Sequence, residues 1–332
     1  MSRVLVTGGA GFIGSHVAEA LLRRGHDVTV LDDLSGGFRE NVPDGARFVA
    51  GSAADDALVG GLFAACSFDH VFHLAAYAAE GLSHFIRRFN YTNNVLGSVT
   101  LLNAAVNHGV RTFVFTSSIA VYGASPVLPV TEEVAPAPED PYGIAKYAVE
   151  LDLRAAHDMF GIDAVVFRPH NVYGPRQNIA DPYRNVVGIF MNQLLQGRPM
   201  TVFGDGTQTR AFSYIDDVAP VIAEAIDEPG AKNEVFNIGS DVPVSLADLA
   251  GHVAASLGAS REVTHLAPRL EVKHIHASHE KARRVFGDRP ETPLAEGLVR
   301  MARWVREHGP REGTPFEAIE VARNLPASWR RA

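Results

Sequence analysis

Tyr142 and Lys146 stand four residues apart, a spacing that puts both side chains on one face of a helix. A phenol titrates near ~10 in water and is a poor base at neutral pH until a neighbouring ammonium favours its charged form. Lys146 supplies that ammonium if the segment is helical, which makes the pair a candidate proton-transfer unit. Such pairs also occur on ordinary helix surfaces, so the rest of the chain has to decide. Near the amino terminus, Gly8-Gly9-Ala10-Gly11-Phe12-Ile13-Gly14 satisfies Gly8-x-x-Gly11-x-x-Gly14 and, through Gly9, G-x-G-x-x-G. Either spacing gives a tight turn that lets a pyrophosphate reach a helix N-terminus, where free N–H groups and the helix dipole favour anions. Asp32 follows about 20 residues later, at a position from which a carboxylate binds the adenosine ribose hydroxyls and opposes a 2′-phosphate, favouring NAD over NADP. Leu74-Ala75-Ala76 offers small side chains that let a cofactor approach the backbone.

These groups need a scaffold, and the pattern around them supplies one. Val4-Leu5-Val6-Thr7 is a short apolar β-rich run that leads through the glycine turn into an amphipathic stretch ending at Arg24. Further strands are expected at 27–31, 47–50, 70–74, 112–116 and 164–167, with helices at 55–65, from Tyr142 onward, and as one long element at 83–108. Alternation of this kind predicts an α/β fold: a Rossmann-type, doubly wound parallel sheet with right-handed crossovers, covered on both faces. Prolines crowd residues 126–141, which reads as a loop. After Arg168-Pro169 the alternation loosens, with turns at Gly174-Pro175 and Gly204-Asp205-Gly206. We therefore expect an NAD-binding domain at 1–170 that carries the catalytic residues. A smaller C-terminal α/β domain at 171–332 is expected to bind substrate, with some segments returning to the first domain. No internal repeat is present, and the tail from Gly313 carries no signal.

With 332 residues, 46% hydrophobic and 20% charged, the chain reads as globular. A formal net charge of −8 gives no basic footprint for nucleic acid or an anionic membrane. The single cysteine, Cys66, excludes an internal disulfide and a multi-cysteine zinc site, and is expected as a buried small hydrophobe at a helix end. No apolar run of about 18 residues suggests a membrane span, and no signal-peptide pattern precedes the first strand, so a cytoplasmic location is expected. His274, His276 and His279 have a spacing that could hold a metal, but no carboxylate supports it and no metal is expected.

Taken together, Thr7-Gly8-Gly9-Ala10-Gly11-Phe12-Ile13-Gly14, Thr116-Ser117-Ser118, Tyr142-x-x-x-Lys146 and Arg168-Pro169-His170-Asn171-Val172-Tyr173-Gly174-Pro175 give a specific likeness. The chain resembles the extended short-chain dehydrogenase/reductase family and, more narrowly, its NAD-dependent nucleotide-sugar epimerases of the UDP-glucose/UDP-galactose 4-epimerase type, from residue 1 to about residue 290. The resemblance implies that Tyr142 is the catalytic base, Lys146 its activator and nicotinamide-ribose anchor, and Ser118 the hydroxyl partner of the sugar O4. It implies NAD contacts from Gly8, Gly11, Phe12, Ile13 and Gly14, from Asp32, Asp33, Leu34 and Ser35, and from Ser52 and Ala53. Leu74, Ala75 and Ala76, then Asn94, Thr116, Tyr142, Lys146 and Pro169, complete that set. For a UDP-sugar substrate it implies Ser118 and Tyr142 at the sugar, Asn171 on the diphosphate, Phe203 and Gln208 flanking the uracil, and Arg210 and Arg269 on the phosphates. It also implies a homodimer formed through the 83–108 helix and the Tyr142 helix. Two departures stand out: Gly51-Ser52 replaces the adenine-binding aspartate of many relatives, and Ala78 stands where an epimerase lysine is usual.

Sister chemistries separate just after Ser118. Related sugar 4,6-dehydratases place Asp-Glu there to move a proton at C5 and expel water, and decarboxylating relatives use a glutamate where Ala120 stands. Here the residues are Ile119-Ala120, neither of which transfers a proton. Reversible oxidation at C4, a 4-epimerisation, is the expected reaction. Hexuronate epimerases often carry an arginine in the loop after the fourth strand, and Tyr77-Ala78-Ala79-Glu80-Gly81 has none, which favours UDP-glucose/UDP-galactose. UDP-glucuronate/UDP-galacturonate is the alternative, with Thr116, Ser117 and Arg184 as candidate carboxylate partners, and an N-acetyl sugar would need a roomier pocket. A nucleotide-sugar dehydrogenase or dehydratase ranks lower, as does a non-catalytic NAD-binding protein, since Ser118, Tyr142 and Lys146 are all intact.

Overall fold

The six strands expected from the sequence, joined by a seventh that was not expected, Glu234–Ile238, form one sheet. In the computed structural model, which describes residues 1–313 and 315–329, these are β1 (Arg3–Thr7), β2 (Asp27–Asp32), β3 (Arg47–Ala50), β4 (His70–His73), β5 (Thr112–Thr116) and β6 (Asp163–Pro169). The order is Glu234–Ile238, β6, β5, β4, β1, β2, β3, and every pairing is parallel. The order reverses between β1 and β4, the switch point at which open α/β sheets bind ligands beyond their strand C-termini. β4 and β5 are buried along their whole length, as are residues 4–7 of β1, because helices cover both faces. One face packs on α1 (Phe12–Arg23) through Val17, Ala18 and Leu21. The other packs on α2 (Asp56–Ala65) through Val59, Leu62 and Phe63. The edge strand Glu234–Ile238 comes from the second half of the chain, so the two halves share the sheet. Thr314 and residues 330–332, inside the expected second domain, lie outside the described residues.

The long helix expected at 83–108 is instead interrupted. It runs as α3 (Glu80–Ser83), α4 (Arg87–Tyr91), a π-helical turn at Thr92–Leu96, and α5 (Gly97–Asn107). Two asparagines account for the irregular turn. Asn93 Nδ2 bonds back to Phe89 O at 2.9 Å, while the Asn94 amide pairs with both backbone groups of Tyr77, at 2.8 and 3.1 Å. Such side-chain bonds give the backbone an alternative to regular helix pairing. Glu80 and His84, at the start of this interrupted segment, line the cavity described below.

The proline-rich stretch is a loop, with a cis Leu128–Pro129 peptide, and it delivers the chain to α6 (Pro141–Phe160). Asp140 caps that helix by accepting from Tyr142 N and Gly143 N, each at 2.9 Å, and Pro141 starts it. Beyond β6, Met200–Phe203 pairs with Val263–Leu266, and Thr209–Ala211 lies between Pro243–Ser245 and His274–Ile275. Cys66 follows α2 but is only half-buried, because it caps the helix at the rim and accepts from Arg47 Nη1 at 3.2 Å. The three histidines do not share a site: His274 bonds with Thr209 at 2.9 Å, His279 with Asp241 at 2.6 Å, and the buried His276 Nδ1 has no partner among the described residues. Among the described residues no group of metal-binding side chains is assembled, and no helix is long and apolar enough to cross a membrane.

Candidate active site

The C-terminal ends of the strands open into a cavity of about 480 Å³. At one end lies the glycine turn. Gly8 has φ 72°, and a Cβ there would stand 2.6 Å from Ala75 N; at Gly14 a Cβ would stand 2.1 Å from Gly8 O. No side chain fits either place, so the turn is a cradle of bare backbone. Gly11 caps α1 without a side-chain bond, leaving the first-turn N–H groups available to an anion, and Phe12, Ile13 and Gly14 line the cavity. At the end of β2, Asp32 accepts from Ala10 N at 3.0 Å and Leu34 N at 2.8 Å. Burial raises its pKa against those two bonds. Asp33, Ser35, Ser52, Ala53, Leu74, Ala75, Ala76, Thr116 and Pro169 also line this wall. Ser52 Oγ accepts from Ala54 N at 3.2 Å, and Thr116 Oγ1 is buried with no partner among the described residues. Two expected contacts are placed elsewhere. Leu34, at φ 61°, is exposed outside the cavity, and Asn94 is buried behind the wall, holding the backbone of Tyr77. The cradle, the uncapped helix start and Asp32 together fit a dinucleotide.

α6 carries the next layer. Tyr142, Lys146 and Glu150 recur at helical spacing and are all buried. Lys146 Nζ donates to Thr116 O at 2.8 Å and lies 4.6 Å from the Phe115 ring centre. Burial lowers its pKa to about 7, and the Glu150 carboxylate acts in the opposite sense. Burial likewise pushes the Tyr142 phenol well above its ordinary value, with the nearby Ser118 hydroxyl and the Arg184 guanidinium acting in the opposite sense. Ser118 Oγ already accepts from Ala120 N at 3.1 Å, so its own hydroxyl proton is available to the phenol. Lys146 Nζ lies 5.9 Å from the phenol ring centre.

Behind this layer is a network that the sequence did not disclose. Ser117 Oγ donates to Glu150 Oε1 at 2.5 Å, and Arg168 grips the same carboxylate through Nε at 3.0 Å and Nη2 at 2.5 Å. Arg168 Nη1 also donates to Tyr122 Oη at 2.7 Å, and Tyr122 Oη to Asn237 Oδ1 at 2.9 Å. The pair is almost fully buried and its hydrogen bonds are complete, which a buried ion pair requires. Glu150 falls four residues after Lys146, the one signal that could have found it.

The opposite end of the cavity is lined by Asn171, Phe203, Gln208, Arg210 and Arg269. Asn171 Nδ2 donates to Ala211 O at 3.1 Å, and Gln208 Nε2 to Phe203 O at 2.8 Å. The Arg210 guanidinium is anchored on the carbonyls of Thr209, Val272 and Lys273, at 2.9, 2.5 and 3.0 Å. Arg269 pairs with Glu271 through Nε at 3.1 Å and Nη2 at 2.9 Å. Glu80 also reaches this end. Its side chain is open to the cavity, enclosed by protein, and without a hydrogen bond or ion pair among the described residues. Desolvation and then the Asp140 carboxylate raise its pKa, against Arg210 and Arg269. The loop Tyr77–Gly81 lacks an arginine and carries this acid instead.

Residues 4–239 match the model of the NAD dependent epimerase/dehydratase family. A UDP-glucose 4-epimerase of Mycolicibacterium smegmatis is 38% identical over 313 residues, covering 92% of this chain and 98% of that protein. The crystal structure of a Thermotoga maritima UDP-glucose 4-epimerase with UDP-glucose is 36% identical, with a TM-score of 0.86 over 92% of this chain and 99% of that one. The Thermus thermophilus UDP-glucose 4-epimerase in complex with NAD is 35% identical, with a TM-score of 0.86 over the same shares. The likeness covers the cradle, the α6 layer and the substrate end alike, and the chain belongs to the NAD dependent epimerase/dehydratase family.

Proposed function

We propose that the chain is an NAD-dependent UDP-sugar 4-epimerase acting on UDP-glucose and UDP-galactose. The observation that carries this reading is the meeting of Ser118, Tyr142 and Lys146 at the strand ends, beside an apolar wall of Ile119 and Ala120. NAD, when bound, supplies a hydride acceptor that later gives the hydride back. Gly8, Gly11 and Gly14 with the start of α1 hold its pyrophosphate, Asp32 its adenosine ribose and Lys146 its nicotinamide ribose. Ser118 bonds the sugar O4, and Tyr142 accepts the O4 proton and returns it when C4 is reduced on its other face. Asn171, Arg210 and Arg269 keep hold of the diphosphate, and Phe203 and Gln208 of the uracil, while the keto sugar turns over.

The neutral hexose is favoured by two features. A C6 carboxylate would add a further negative charge beside Glu80, where desolvation and Asp140 already disfavour one, and Ser117 is already bonded to Glu150. Arg184, on the cavity wall, keeps UDP-glucuronate as the second reading, although its guanidinium is paired with Asp181 at 2.6 Å. Residues 1–170 serve the cofactor and the chemistry, and residues 171–332 mostly serve the substrate. Leu96, Ile144 and Leu151 are exposed apolar side chains on the π-helical turn and α6, which supports pairing of two copies through these helices. A mass in solution twice that of the chain is expected, and cytoplasm is the expected compartment.

The test is product analysis with UDP-glucose and, separately, UDP-glucuronate. Formation of an isomer of unchanged mass with no accumulation of NADH is expected for the first. NADH stoichiometric with sugar would identify a dehydrogenase. Loss of water would identify an elimination, for which Glu80 is the acid at hand.

A further inference from the structure

The carboxyl-terminal stretch crosses the substrate end of the molecule as a strap. The carbonyl of Arg311 accepts from Asn192 Nδ2 and Gln196 Nε2, each at 2.9 Å, and its N–H donates to Asn192 Oδ1 at 3.0 Å. Phe316 N then donates to Tyr183 Oη at 3.0 Å, and the Phe316 ring packs edge-on against Phe89 at 4.9 Å. Glu320 accepts from the N–H groups of Arg88 and Phe89, at 2.7 and 2.8 Å. Each anchor lies on an element that also contributes to the cavity or borders it.

The strap includes Trp329, which is 9% exposed. Its ring meets Tyr183 edge-on at 5.2 Å and Phe203 at 6.1 Å. The Arg269 guanidinium lies over the Phe203 ring, 4.6 Å from its centre, with the centre of Trp329 5.8 Å away on another side. Gly81 closes a third side: a Cβ there would stand 3.3 Å from the Trp329 ring and 3.5 Å from Arg269 Nη1. Phe203 and Arg269 line the cavity and Trp329 supports them from behind. A guanidinium on a flexible stem loses rotational freedom when it binds phosphate in two-point fashion, and a stacked one has lost that freedom beforehand.

We propose that the strap is a positioning element of the nucleotide subsite, in which Trp329 holds Arg269 and Phe203 in the orientation that receives the diphosphate and base of the sugar nucleotide. This rests on the UDP-sugar reading of the same cavity. Trp329 is a positioning residue and touches none of the reacting atoms.

The test uses the full chain with NAD bound. Trp329→Ala is expected to raise the KM for UDP-glucose and the Kd for UDP roughly tenfold, with kcat and bound NAD unchanged. Trp329→Phe, which keeps a ring over Arg269, is expected to recover most of the loss. A Kd for UDP that does not move in Trp329→Ala overturns the proposal, as does equal weakening in both variants or a loss of NAD along with UDP affinity. A second measurement leaves Trp329 in place. The chain has two tryptophans, so Trp304→Phe makes Trp329 the sole emitter. Its fluorescence is expected to change on titration with UDP, and a spectrum constant through saturation overturns the proposal. UDP carries no sugar. Binding that depends on Trp329 in a chain that epimerises no UDP-sugar would sustain the strap and refute the catalytic reading.

Discussion

The two ends of the cavity are built on different principles. The dinucleotide end is made of strand termini and bare backbone, where Gly8 and Gly14 leave less space than one methyl group needs. The substrate end is made of side chains, Arg210, Arg269, Phe203 and Glu80, carried on short elements and braced by a strap from the far end of the chain. A site of the first kind tolerates no change in shape and recognises one constant ligand. A site of the second kind can be retuned residue by residue, which suits a reaction in which the nucleotide is held while the sugar turns.

The layer between the ends gives the largest expected effect. Tyr142→Phe is expected to lower kcat about 1000-fold while NAD stays bound, since it removes the proposed proton acceptor and leaves both ends intact. Steady-state rates together with the cofactor content of the purified protein check this. Gly14→Ala tests the rigid end: its methyl would collide with Gly8 O at 2.1 Å. It is expected to shed NAD on purification and to lose at least about 100-fold in kcat/KM. Full cofactor occupancy in that variant would erase the contrast drawn between the two ends.

At the adjustable end, Glu80→Gln should keep the fold and change the selectivity. The kcat/KM for UDP-glucuronate relative to UDP-glucose is expected to rise about fivefold, because a carboxylate facing a C6 carboxylate is removed. An unchanged ratio would take Glu80 out of the account of sugar choice. The smallest expected effect spans both ends. His73, beneath the dinucleotide end, and His170, beside the substrate end, are both fully buried, and burial lowers each pKa to about 3. The unfolded chain takes up these protons near 6.5 and the folded chain does not, so stability is complete above 6.5 and falls as the pH drops toward 3. A decrease of a few degrees in Tm between pH 6.5 and 5.5 is expected by calorimetry.

The rigid end was legible in the sequence for the reason that makes it rigid. A left-handed turn at Gly8 and a contact too close for a Cβ at Gly14 demand glycine, so the pattern carries the geometry. The spacing of Tyr142 and Lys146 was legible in the same way, through helical periodicity. What was not legible depended on long-range packing. The 83–108 segment has helical composition throughout, yet the chain leaves the helix at residues 84–86, and Asn93 and Asn94 bond to backbone groups in a π-helical turn at Thr92–Leu96. Arg168 and Glu150 are ordinary charged residues until the sheet buries them against each other. Trp329 lies in a tail with no periodicity of its own, and its role exists only in the contacts it makes with Arg269 and Phe203.

The central claim, that a hydride leaves C4 and returns to C4 within one closed site, is tested most directly with UDP-glucose carrying deuterium at C4. Proton NMR of the products is predicted to show UDP-galactose with the deuterium retained at C4. Loss of the label to solvent, or its accumulation in free NADH, would contradict the account.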